Sequence, residues 1–95
     1  MDFEINYIKS KSAEEAYQII KSIITDKSLK EHYKVKAKLN YNDSKLEMSA
    51  TGKGFDLKIS FSENTAFGNI KLGLLLRPLG SSIVGKITKG VEGKI

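Results

Sequence analysis

A chain of 95 residues, 40% hydrophobic and 28% charged, has room for one domain with a modest core and lies outside the disordered range. It contains no cysteine, which excludes disulfides and thiolate metal sites and fits a reducing compartment. The net charge is +5, yet Arg77 is the one arginine among the 16 basic residues. Lysine is a hydrated point charge and a poorer bidentate reader of base edges, so the composition speaks against sequence-specific nucleic-acid recognition.

Residues 2–9 open with alternation: Phe3, Ile5 and Tyr7 on one face, Asp2, Glu4 and Asn6 on the other. That is a half-buried strand, ended near Ile8. The same stretch lacks the basic and apolar regions of a secretory signal. The longest apolar run, Leu74-Leu75-Leu76, falls far short of the roughly 20 residues a membrane span needs. The expectation is a soluble, cytoplasmic protein without a transmembrane segment.

Ser12-Ala13-Glu14-Glu15 reads as a capping box with acids at the positive end of a helix. Ala13, Ala16, Tyr17, Ile20, Ile23 and Ile24 then form one stripe, predicting a helix over 13–25. Leu29 to His32 add a short further turn. Residues 33–41 alternate Tyr33, Val35, Ala37, Leu39 and Tyr41 with Lys34, Lys36, Lys38 and Asn40. After the turn residues Asn42-Asp43-Ser44 comes a return strand with Leu46, Met48 and Ala50 inward. Gly52-Lys53-Gly54 makes the next turn, and Phe55, Leu57, Ile59 and Phe61 mark the following strand. A last strand is predicted over 69–76, ended by Pro78. A second helix starts at Ser81 or Ser82, with Ile83, Val84, Ile87 and Val91 as its stripe and Lys86, Lys89 and Lys94 mostly elsewhere. Gly85, Gly90 and Gly93 weaken that helix, so it is marginal alone and needs docking to persist.

The order β-α-β-β-β-β-α predicts a single α+β domain over 1–95. It is a two-layer sandwich: an antiparallel meander sheet covered by the N-terminal helix, with a short C-terminal helix.

No constellation here demands a particular chemistry. The single histidine, His32, is tied to no nucleophile or carboxylate and suits a helix C-terminus. One histidine and no cysteine make no ordinary zinc site, and the acids are scattered. Gly52-Lys53-Gly54 lacks phosphate-loop spacing and lies between strands. The reading is therefore non-enzymatic, with no catalytic residue, metal or cofactor. Two surfaces remain. Lys34, Lys36, Lys38, Lys58 and Lys71 fall on one sheet face and offer a polyanion contact for RNA or DNA. Glu47 and Asp56 share that face and no aromatic is expected there for base stacking, which favours a simply solvated surface. Leu75 and Leu79, with Ile83, Ile87 and Val91 of the closing helix, offer an apolar contact for a partner, a second copy or a lipid-like surface. In the alternative, the helix folds over these residues and closes the core.

Three motifs carry a family resemblance: Ser12-Ala13-Glu14-Glu15-Ala16, Thr51-Gly52-Lys53-Gly54-Phe55 and Lys71-Leu72-Gly73-Leu74-Leu75-Leu76-Arg77-Pro78-Leu79. The chain resembles the bacterial polyhydroxyalkanoate granule-region proteins, also called polyhydroxyalkanoic acid system proteins, in these motifs and in the order of its elements. It departs from them in its closing helix, which is rich in glycine and lysine rather than long and acidic. The resemblance implies a non-catalytic accessory protein at storage-polyester granules, with no catalytic residue to carry over. Beside that granule-surface reading stand a polyanion-binding module and a carrier of a small apolar ligand held between sheet and helix.

Overall fold

The computed structural model describes residues 1–33, 36–91 and 93–95, with residues 32 and 33 by backbone alone. Five strands, β1 (Asp2–Asn6), β2 (Ala37–Asn42), β3 (Glu47–Gly52), β4 (Phe55–Phe61) and β5 (Thr65–Leu72), form one sheet in the order β1-β5-β4-β3-β2. Every neighbouring pair is antiparallel. The helices are α1 (Ala13–Ile23), the short α2 (Asp26–Ser28), which runs into a π-helical turn (Leu29–Tyr33), and α3 (Gly80–Val91). This is the α+β sandwich that the alternation and the two helical stripes predict.

Local chemistry sets the helix ends. The Ser12 hydroxyl accepts from the Glu15 amide at 3.1 Å, as the capping box requires. The Glu15 carboxylate reaches one residue further back than expected, to the Lys11 amide. α1 stops at Ile23, where the chain turns extended at Ile24. Thr25 and Ser28 then cap α2 reciprocally.

One apolar cluster fills the space between sheet and helices. From α1 it takes Ala16, Tyr17 and Ile20; from the sheet Ile5, Met48, Ala50, Leu57, Ile59, Phe61, Ala66 and Ile70; from α3 Ile87 and Val91. Tyr17 meets Phe61 edge to face, with ring centroids 5.6 Å apart. Fully burying an aliphatic side chain of this size stabilises by about 1.5–3 kcal/mol, so docking offsets the weak propensity of the glycine-bearing α3.

The chain end at Ile95 is built into this core. Its side chain is buried, and its backbone oxygen accepts from three successive amides, Ile8, Lys9 and Ser10, at 3.1, 3.0 and 2.6 Å. The β1–α1 connection is thereby clamped to the segment after α3.

Two boundaries differ from the sequence prediction. The last strand runs Thr65–Leu72, not 69–76. Gly68, which a strand over 69–76 leaves just outside, sits in mid-ladder opposite Phe3 on one side and Ile59 on the other. The alternation of Leu72, Leu74 and Leu76 continues past the sheet without being strand. The Gly73 amide donates to the Gly54 carbonyl at 2.8 Å, and the Leu76 and Arg77 amides fold back onto the Gly73 carbonyl. Pro78 consequently ends no strand; it sits in the first turn of a 3-10 segment, Arg77–Leu79, leading into α3. Of the strand expected over 33–41, Lys34 and Val35 lie outside the described residues, and β2 begins at Ala37.

Candidate functional site

The strongest candidate is an apolar cleft between the sheet and α3, beyond the point where α1 ends. Its floor is Ala50 of β3, Phe55 and Leu57 of β4 and Ile70 of β5. Ile24 and Leu29 wall one side, Leu76 closes another, and Ile83, Lys86 and Ile87 of α3 form the roof. Its volume is about 170 Å³. The cleft follows from local structure. α1 terminates at Ile23, and the chain continues through α2 and the π turn, so this end of the sheet is covered by α3.

Lys86 is the one charged residue among the described lining residues. Lys86 is exposed as well as lining the cleft, the situation in which a lysine stem can cover apolar surface while its ammonium keeps its water. α3 contains Lys86 and Lys89 and no acid.

The residues assigned to an apolar surface contact divide into two groups. Leu75 is 92% exposed and Leu79 51%, and Leu74 joins them at 79%. Ile87 and Val91 are buried in the core and Ile83 is half-buried against it. With α3 docked, these three face the sheet rather than a partner. The helix has closed the core, as the alternative reading holds, while the leucines before it stay outside.

The lysine face is less basic than its spacing implies. Lys38, Lys58 and Lys71 do lie on the sheet face away from the helices, while Lys36 precedes β2 and is exposed. Lys34 lies outside the described residues. On the same face stand four carboxylates, Asp2, Glu4, Glu47 and Asp56. Lys58 is paired with Glu47 at 3.0 Å, and Asp56 is the ladder partner of Lys71. The Lys58 ammonium, with the Ser60 hydroxyl adding to it, holds the Glu47 carboxyl below its usual range. The sheet face does carry one aromatic that the sequence reading misses. Phe67 is 49% exposed because β5 begins four residues earlier than predicted. It is flanked across the ladder by Glu4 and Ser60, not by lysine.

From the middle and last turn of α1, the Tyr17 hydroxyl donates to Asp43 at 2.6 Å, and the Lys21 ammonium donates to the same oxygen at 2.9 Å. Burial first, and the Asp43 carboxylate second, push the Tyr17 hydroxyl up to about 12. This trio ties α1 to the β2–β3 turn. The His32 side chain, assigned a capping role, lies outside the described residues.

Ile83 and Ile87 share one helix face, as the stripe predicts, and Lys86, expected outside that stripe, flanks it about 60° from Ile83, where it reaches the edge of the cleft. Its i+3 spacing from Ile83 is the available signal. Leu29 and Leu76 carried no such signal, because they come to the cleft from irregular segments. No helix among the described residues is long and apolar enough to cross a membrane. No family model matches the chain, and no curated protein or solved structure is significantly similar to it.

Proposed function

We propose that this chain is a small non-catalytic binding protein that takes a compact apolar group into the cleft beneath α3. The observation that supports this reading is an apolar cleft of about 170 Å³ in a protein of this size. An apolar cavity of about 150 Å³ stays dry and accepts benzene, so a group of about six carbons is the right scale. Water in such a site has few polar partners, and its displacement by apolar surface is favourable.

Titration of the 15N-labelled protein with 1-hexanol tests this directly. Shifts should concentrate at Ile24, Leu57, Ile83 and Ile87, with a dissociation constant of about 1 mM, a normal efficiency for a ligand of that size. Ile83→Phe, which narrows the opening from the half-buried side of α3, should weaken binding without unfolding the domain. An unshifted spectrum at saturating hexanol rejects the cleft as a binding site.

A second reading rests on the leucines before α3. Leu74, Leu75 and Leu79 are exposed together on the segment whose Leu76 lines the cleft. Such a patch suits contact with an apolar surface, a storage-polyester granule among them, which is the setting implied by the resemblance to granule-region proteins. The polyanion reading has less support, since three lysines face four carboxylates on the sheet surface.

A further inference from the structure

We infer that the occupant of the cleft is a short-chain carboxylate, with its hydrocarbon beneath α3 and its carboxylate at the mouth beside the Lys86 ammonium; this rests on the cleft being a ligand site. The lining is apolar except at one position, and that position carries a positive charge. A ligand apolar throughout leaves Lys86 without a role. A cationic amphiphile meets a like charge there and at Lys89, on a helix with no acid to compensate. Lys86 makes no ion pair among the described residues, whereas Lys21 and Lys58 do. The net charge of +5 raises the local concentration of anions around the whole molecule.

The geometry also avoids the usual penalty of burying a carboxylate. Lys86 lines the cleft and is itself exposed, so a carboxylate paired with it remains hydrated and only the hydrocarbon chain is enclosed. The volume of about 170 Å³ limits that chain to about six carbons and excludes long fatty acyl groups in extended form.

A comparison of hexanoate, hexanol and hexylamine by 15N chemical-shift titration at low salt tests the inference. Hexanoate should bind about three- to five-fold more tightly than hexanol, the scale of one solvent-screened charge pair. Hexylamine should bind more weakly than either. Lys86→Met keeps an apolar stem and removes the charge; it should abolish the preference for hexanoate over hexanol. Lys89→Met, on the same helix but outside the lining, should keep the preference. Raising the salt should shrink it. Hexanol binding as tightly as hexanoate, or a preference that survives Lys86→Met, overturns the carboxylate assignment and leaves the cleft reading standing. A preference lost equally in Lys89→Met reassigns it to the general field of α3 and overturns the role of Lys86. If none of the three compounds binds, the cleft reading falls and the inference with it.

Discussion

Phe3 on β1 stands directly across the ladder from Gly68 on β5, and its ring occupies the space that a Cβ on Gly68 would need. The same pairing recurs elsewhere on the core-facing side of the sheet, where Phe55 covers Gly52, its ladder partner. Each aromatic shields a stretch of backbone left bare by the glycine opposite.

Gly68→Ala should therefore destabilise by about 1–3 kcal/mol through overpacking, although alanine is ordinarily the better residue in regular structure. Urea unfolding measures the loss. Phe3→Leu combined with Gly68→Ala should recover part of it, because the two positions share one volume and their effects cannot be additive. Equal destabilisation in the single and double variants would show that the clash is not the cause.

Tyr17 and Asp43 set a second expectation, in pH. The Tyr17 hydroxyl and the Lys21 ammonium hold the Asp43 carboxyl below its ordinary value, and Lys58 does the same to Glu47. Both groups bind protons more weakly when folded, so the unfolded chain takes up more protons as pH falls. Their stabilisation is present at neutral pH and is lost as pH drops below the ordinary carboxyl range and through the lowered folded values. The alkaline limb has the opposite origin. Tyr17, raised from 10.0 to about 12, keeps its proton in the folded protein when the unfolded chain has lost it, so stability falls as pH rises across that interval. Tyr17→Phe should cost about 1 kcal/mol at pH 7 and flatten the alkaline limb. Denaturant midpoints at stepped pH read both effects; an unchanged alkaline limb in Tyr17→Phe would remove Tyr17 as its source.

Ile95 couples the end of the chain to the β1–α1 connection. Ile95→Ala removes a side chain only 1% exposed and should cost about 2–5 kcal/mol. Hydrogen exchange should show the amides of Ile8, Lys9 and Ser10 losing protection before those of β4 and β5, since these three donate to the Ile95 oxygen. Uniform loss over the whole sheet would mean that this clamp does not open separately.

The exposed leucines give a prediction of the opposite kind. Leu75→Asp and Leu79→Asp change side chains that are 92% and 51% exposed, and each should shift stability by less than about 0.5 kcal/mol. If the patch meets an apolar surface, both should reduce co-sedimentation of the protein with polyester granules. Unaltered sedimentation sets the granule reading aside while leaving the cleft intact.

The strands with strict alternation were legible without coordinates. Leu57, Ile59 and Phe61 face inward, as a period of two dictates, and the stripe from Ala16 through Tyr17 and Ile20 to Ile24 covers them. Periodicity encodes which face of an element is apolar, and in a chain this short few layer arrangements bury all those faces. What pattern alone leaves open is where an element stops and what meets it from afar. The run from Ile70 to Leu76 alternates throughout, yet the sheet ends at Leu72, because the Gly73 amide turns to the Gly54 carbonyl. Gly68 belongs to a strand only because a phenylalanine 65 positions away lies over it. The cleft likewise draws on Ile24 just after α1, the π turn, three strands, the Leu76 loop and α3. It is a space left between separately encoded elements, so no local pattern specifies it, and only their packing decides that it exists and that Lys86 stands at its mouth.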